Sequence, residues 1–130
     1  MKIEEISKFV TPIKDGIWCH LVNKKVIIDE KTSGKWLIFN DLGYLKEIAD
    51  KLLSSMISGK IGYIKWSHRE GNDQFKDKTP VMCVFSDDKH KEEVWKILEK
   101  IGIKQRIWKY DFQTYEDWKK GGRLYNEWNK

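Results

Sequence analysis

The chain has 130 residues, with 25 Lys and Arg against 20 Asp and Glu, a formal net charge of +5 and seven Trp. This length predicts a single domain over residues 1–130, and a hydrophobic content of 40% excludes a disordered chain. No apolar run approaches the roughly 18 residues of a membrane span, and the first ten residues show no signal-peptide pattern.

Short elements are predicted in the N-terminal part of the chain. Ile3, Ile6 and Phe9 recur at helical spacing, and Gly16 and the segment 23–25 give turn signals beside residues of strand composition. The predicted elements are, in order, a helix over 2–9 and strands over 17–22, 25–29 and 35–40.

The clearest predicted helix lies in the middle of the chain. Apolar residues recur every three or four positions from Leu42 to Ile57, Asp41 is a fair N-cap, and Gly59 is a fair stop. A second helix is predicted between its cap at Asp87-Asp88 and Gly102. The other predicted elements are strands over 61–67, 79–86 and 104–110, a loop over 68–78, a short helix over 115–120 and a strand or turn over 123–128.

The predicted order of elements is β-β-β-α-β-β-α-β. Two helices separate strands that come in groups, which is typical of an α+β fold with a mainly antiparallel sheet and both helices on one face. The other face of such a sheet stays open, and we expect it to be a binding platform.

Aromatic and cationic side chains coincide on several predicted strands. Since side chains alternate along a strand, Tyr63 and Lys65 share one face, and Arg106 and Trp108 share one face. A flat ring beside a cation can hold a base and a phosphate, so the pattern favours a nucleotide site. The candidate ligand-binding residues are Trp18, Lys35, Tyr63, Lys65, Trp66, Arg106, Trp108 and Lys109. Trp36 and Trp95 are interpreted as packing residues.

The sequence offers one candidate catalytic arrangement. Lys65 could remove an α-proton and His68 could protonate a leaving oxygen, as β-elimination requires. Cys19 and His20 are adjacent on a strand and point to opposite faces, which argues against a nucleophile pair. Because there is no HxxH or DxD spacing and no glycine-rich phosphate loop, we expect neither a metal nor a cofactor.

The spacing of the two cysteines indicates the cellular compartment. Cys19 and Cys83 form no CxxC pair, so no disulfide framework or zinc site is indicated. We therefore expect a cytoplasmic protein without a membrane partner.

Five short motifs resemble a known family when taken in order. They are SGKWLIF (33–39), IKWS (64–67), VMCVFSDD (81–88), IGIK (101–104) and WKYDFQTY (108–115). The pattern is similar to that of the basophilic leukaemia-expressed protein family, also described as a phosphothreonine lyase domain, and the resemblance covers residues 33–128. The chain departs from the pattern at Tyr110, where the family has proline, and at Trp66, where it has a small aliphatic residue.

The resemblance implies a fold like that of the cap-binding translation initiation factors. These proteins have a curved antiparallel sheet, helices behind it and a ligand cleft on the concave side. Lys35, Lys65 and Lys109 match the family's cations, and Thr114 lies nearby in the pattern. No motif of the cap binders themselves is present, so cap recognition does not carry over.

Four functions stay open from the sequence. The first is non-catalytic binding of a nucleotide or other phosphorylated small ligand, which could sequester a nucleotide signal. The second is a lyase acting on phosphothreonine-like phosphate esters, with Lys65 and His68 as its catalytic residues. The third is binding of single-stranded RNA or a cap-like ligand. The fourth is an interaction module in which every Trp packs in the core.

Overall fold

A computed structural model describes residues 11–15, 18–67 and 80–112 of the chain. The predicted elements over 2–9, 68–78, 115–120 and 123–128 lie outside the described residues. Within the described ranges, neither helix is long and apolar enough to cross a membrane.

Within the described residues, six strands and two full helices follow one another in the predicted order β-β-β-α-β-β-α-β. The strands are β1 (Thr11–Asp15), β2 (Trp18–Val22), β3 (Gly34–Phe39), β4 (Tyr63–Ser67), β5 (Val81–Ser86) and β6 (Trp108–Tyr110), and the helices are α1 (Leu42–Ile57) and α2 (Lys91–Lys100). The strands form one sheet in the order β1-β2-β4-β5-β3-β6, in which every neighbouring pair is antiparallel. The predicted α+β class with an antiparallel sheet is therefore confirmed.

The order of strands and helices agrees with the prediction, but one predicted strand does not form and another strand forms at a different place. β1 forms over residues that the sequence did not indicate as a strand. The segment 25–29, predicted as a strand, lies outside the sheet. Its Asp29 backbone N–H donates to Oδ2 of Asp87 at 2.9 Å, which replaces a bond to a neighbouring strand. The predicted strand over 104–110 is shortened to Trp108–Tyr110.

The helix α1 forms where its apolar spacing predicts it. Asp41 is the N-cap, and its Oδ1 accepts a hydrogen bond from the Tyr44 backbone N–H at 2.8 Å. After the helix, Gly59 takes a φ of +82°, which a residue with a side chain rarely adopts. The buried residues of α1 are Leu45, Ile48, Ala49, Leu52 and Met56.

The core lies between the sheet and the two helices. Alternate residues of the central strands are buried there, namely Trp36, Ile38, Ile64, Met82 and Val84. They join α1, together with Val94, Trp95 and Leu98 of α2. Burying each such side chain stabilises the fold by about 1.5–3 kcal/mol. Because the strands alternate, the residues between these core positions project to the opposite side of the sheet, which we call the open face.

Candidate ligand-binding face

The register of the sheet decides which side chains share the open face, because directly paired residues of antiparallel strands lie on the same side. One row runs across four strands through the pairs Tyr63–Phe85, Phe85–Lys35 and Lys35–Lys109. The next row contains His20 and Lys65 with Cys83 and Leu37. The open face therefore combines residues that are up to 91 positions apart in sequence, from Trp18 to Lys109.

Three rings form a continuous row on this face. The ring centroids of Tyr63 and Phe85 are 4.5 Å apart with an interplanar angle of 16°. On the other side of Tyr63, the His20 ring lies 5.7 Å away at 27°. Nδ1 of His20 and the Tyr63 hydroxyl are 2.6 Å apart, within hydrogen-bonding distance. These contacts fix the three rings relative to one another, and all three remain partly exposed.

Two ammonium groups lie against the Trp18 and Phe85 rings of this face. Nζ of Lys65 is 4.6 Å from the centroid of the Trp18 ring and 5.9 Å from that of Phe85. Nζ of Lys35 approaches Phe85 from β3, at 5.7 Å. Each distance is within the range of cation–π attraction. Phe85 therefore has two cations near its ring, and Trp18 has one.

The Asp111 carboxylate accompanies these cations. Oδ1 of Asp111 is 3.1 Å from Nζ of Lys35. Its Oδ2 accepts a hydrogen bond from the Ser33 hydroxyl at 2.8 Å, and the Asp111 backbone N–H donates to the Ser33 carbonyl at 2.9 Å. These contacts hold Asp111 at the end of β6, where it compensates part of the positive charge of the face.

A buried thiol lies between the two cations. Burial raises the pKa of Cys83 above its ordinary value, although the charges of Lys65 and Lys35 lower it in part. Burial also raises the pKa of the Tyr63 phenol, and the neighbouring Cys83 contributes to the same direction. Both groups are therefore protonated at neutral pH, and neither adds negative charge to the face.

Five of the predicted ligand-binding residues share the open face: Trp18, Lys35, Tyr63, Lys65 and Lys109. The other three, Trp66, Arg106 and Trp108, do not. Trp66 and Trp108 pack against the core on the helix side. Arg106 lies 5.5 Å from the ring centroids of both Trp36 and Trp95, and its Nη2 is 2.6 Å from Oε1 of Glu92.

These three residues therefore lie apart from the face that brings the other five together. Strand alternation puts Trp66 opposite Lys65 and Trp108 opposite Lys109, so neither ring can share a surface with the neighbouring cation. Arg106 precedes β6, and its guanidinium completes the helix-side tryptophan cluster. The interpretation of Trp36 and Trp95 as packing residues is confirmed, since they are only 2% and 7% exposed.

Two residues of the face were not predicted. Phe85 belongs to the apolar run TPVMCVFS, which shows no alternation from which a face could be read. In the sequence, His20 stands out only beside its neighbour Cys19, whereas the structure brings it into contact with Tyr63 on β4. Knowledge that β2 pairs with β4 was needed to find it.

The predicted catalytic pair is only half described. Lys65 lies on the open face, while His68 falls outside the described residues. Among the residues that the structure describes, no group of three or more His, Cys, Asp or Glu side chains could hold a metal ion.

The chain matches no protein-family model, no curated protein and no solved structure. The resemblance to the basophilic leukaemia-expressed protein family therefore stays a prediction from the five sequence motifs.

Proposed function

We propose that the chain binds a nucleotide or another phosphorylated small ligand on the open face, without catalysing a reaction. The observation that carries the proposal is the approach of two ammonium groups, from Lys65 and Lys35, to one aromatic ring, Phe85. Two partly covered cations beside stacked rings suit an anion that is attached to a flat group.

The proposed contacts follow the order of the strands. A base stacks on Trp18 at the β2 end of the face, and its phosphate interacts with Lys65 and Lys35 towards β3. Lys109, beside Lys35 in the register, is the third cation within reach of a longer phosphate chain. Stacking on one ring contributes about 1–3 kcal/mol, and each charge-assisted hydrogen bond contributes about 1.5–3 kcal/mol.

A small binder of this kind could act by sequestering a nucleotide signal in the cytoplasm. One observation supports an intracellular, reducing location: Cys19 on β2 and Cys83 on β5 lie on strands that are not neighbours in the sheet, so the two do not form a disulfide with each other. The match of Lys35, Lys65 and Lys109 to the cations of the resembled family supports the choice of a phosphorylated ligand.

The proposal is tested by calorimetry with a panel of nucleoside mono-, di- and triphosphates and cyclic nucleotides. We expect at least one of them to bind below millimolar concentration, and Lys65→Met to weaken it by at least tenfold. Lys51→Met, which removes an exposed cation from α1, is the matched control and should leave the affinity within about twofold. If no compound of the panel binds at millimolar concentration, the proposal is wrong. The hypothesis of an interaction module, in which every Trp packs in the core, then becomes the better one.

Tryptophan fluorescence locates the bound base. We expect the ligand to quench the emission of the natural chain, and expect Trp18→Phe to remove most of this quenching. Trp95→Phe removes a buried ring that is far from the open face, so the quenching should persist. Quenching that depends on Trp95 and not on Trp18 would contradict the proposed site.

Two further measurements separate the alternatives. A phosphothreonine lyase that uses Lys65 as its base would release phosphoric acid, a loss of about 98 Da, from a phosphothreonine peptide. If this loss is detected with the natural chain and disappears in Lys65→Ala, the proposal of binding without catalysis is wrong. Binding of single-stranded RNA would instead weaken steeply with salt because several phosphate contacts release counterions.

A further inference from the structure

A concave site lies at the end of the sheet beside the open face, and Phe85 of that face is part of its lining. It is a groove of about 600 Å³ between the segment Asn23–Asp29, which we call the strap, and the body of the protein. Its apolar lining includes Val26, Ile28 and Ile57, and its polar lining includes Lys60, His90 and Glu93. This volume is in the range of pockets that bind small molecules.

Both ends of the strap are fixed by hydrogen bonds. At one end, Nδ2 of Asn23 donates to the Met56 carbonyl at 2.8 Å, and the Asn23 backbone N–H donates to the Gly62 carbonyl at 2.9 Å. At the other end, the Asp29 backbone N–H donates to Oδ2 of Asp87 at 2.9 Å. The groove therefore has a defined wall.

The polar end of the groove contains an oriented histidine. Nδ1 of His90 is 2.8 Å from Oδ1 of Asp87, and the His90 backbone N–H donates to the same oxygen at 3.1 Å. Asp87 is only 3% exposed, so its carboxylate is a fixed acceptor. In the neutral imidazole that carries its proton on Nδ1, this N–H donates to Asp87, and Nε2 then has a lone pair that can accept a hydrogen bond.

The charges of the groove select against an ionic ligand. Two cations, Lys25 and Lys60, and two acids, Asp87 and Glu93, line it. With histidine counted as neutral, these formal charges cancel. A neutral ligand therefore needs no counterion there, whereas the open face presents an excess of cations.

We infer that this strap groove is a second ligand site, which takes a neutral and largely apolar molecule carrying one N–H or O–H group. The apolar body packs against Val26, Ile28 and Ile57, and the single donor bonds to Nε2 of His90. The site does not depend on the function proposed for the open face.

Indole and 1-methylindole form a matched pair of probes, because they differ in the N–H donor and little in shape. In a heteronuclear NMR titration of the full chain, we expect indole to shift the backbone amide signals of Ile28 and Gly59 and a ring nitrogen of His90. We expect 1-methylindole to bind at least threefold more weakly. Equal affinities, or shifts confined to open-face residues such as Trp18 and Lys65, would overturn the inference.

Three variants complete the test. Ser58→Phe fills the groove and should abolish the shifts, while Ser54→Phe places the same ring on the exposed side of α1 and should not. His90→Ala keeps the backbone N–H that bonds to Asp87 but removes Nε2, so indole and 1-methylindole should then bind equally. Indole shifts that survive Ser58→Phe, or a preference for indole that survives His90→Ala, would contradict the site. The amide spectrum of each variant shows whether it is folded.

Discussion

Asp111 shows how a single acid can tune the open face. Its carboxylate contacts Lys35 at 3.1 Å and competes with any anionic ligand for that cation. Partly exposed ion pairs of this kind contribute about 0.2–1 kcal/mol. In the proposed binding mode, the affinity of the face for phosphate would therefore depend on a residue that does not itself bind the ligand.

Removing this competing charge should strengthen anion binding. We expect Asp111→Asn to raise the affinity for pyrophosphate by up to about fivefold, which corresponds to the upper end of that energy range. The measurement is calorimetry at low salt, with Asp50→Asn on α1 as the control. An unchanged or weaker affinity in Asp111→Asn would show that Lys35 is not part of the anion site.

The thiol of Cys83 gives a second prediction at the residue scale. Burial raises its pKa, so little thiolate is present at pH 8, and we expect iodoacetamide to modify the partly exposed Cys19 first. Lys65 is one of the charges that lower this pKa, and Lys65→Met should therefore slow the modification of Cys83 further. Peptide mass spectrometry at timed intervals measures both rates. A Cys83 that reacts as fast as Cys19 would contradict the buried environment.

At this scale the sequence predicted part of the site. Alternation along β4 correctly separated Tyr63 and Lys65 from Ile64 and Trp66. It could not place Phe85, because the run Val81–Phe85 of β5 is apolar at every position and so shows no alternation. Nor could it indicate that Asp111 meets Lys35, since a contact between residues 76 positions apart depends on the strand order.

Among the strands, β6 depends on a glycine of its neighbour β3. A Cβ atom added at Gly34 would lie 2.6 Å from Cζ2 of Trp108 and 2.7 Å from the Lys109 carbonyl oxygen. Only a residue without a side chain permits this close approach of β3 and β6. The SGKW motif thus has a structural explanation in addition to its resemblance to a family.

We expect Gly34→Ala to destabilise the protein by about 1–3 kcal/mol, because the backbone at Lys109 cannot move aside cheaply. The control is Gly43→Ala in α1, where the nearest atom is 3.5 Å away and alanine favours the helix by up to about 1 kcal/mol. Urea denaturation followed by circular dichroism measures both. Equal stability of the two variants would show that β6 is not held in this register.

Both helices were predictable because their apolar spacing and their end signals agree. The strands were predictable in number and less so in position. The segment 25–29 has strand composition, but its apolar residues form the strap instead of pairing, because the Asp29 N–H bonds to Asp87. β1 carries a proline and gave no signal, and only its pairing with β2 defines it.

Asp87 affects the stability of the whole molecule, since it joins the strap to the start of α2. Burial alone would raise its pKa, but the hydrogen bonds from the Asp29 and His90 backbones and from the His90 ring lower it overall. A carboxyl whose pKa is lowered on folding stabilises the protein fully above its unfolded pKa of about 3.9. This contribution is lost as the pH falls through the lower, folded value.

We therefore expect Asp87→Asn to reduce the free energy of unfolding at pH 7 by about 1–3 kcal/mol. The difference between the variant and the natural chain should shrink as the pH falls below about 4, where the unfolded carboxyl takes up its proton. Thermal denaturation between pH 7 and pH 2 measures this convergence. A difference that stays constant over the whole range would mean that the charge of Asp87 plays no part.

The strand order has a consequence for how the chain becomes a sheet as it is synthesised. β3 pairs with β5 and β6, and with neither strand that precedes it. When β3 and α1 have left the ribosome, the only pairing available among the described strands is that of β1 with β2. β3 must wait for β5, and its outer edge stays uncovered until Trp108–Tyr110 arrive. Such distant pairings form in milliseconds to seconds. Because Lys109 lies on the last described strand, the cations of the open face come together only after nearly all of the described chain has been made.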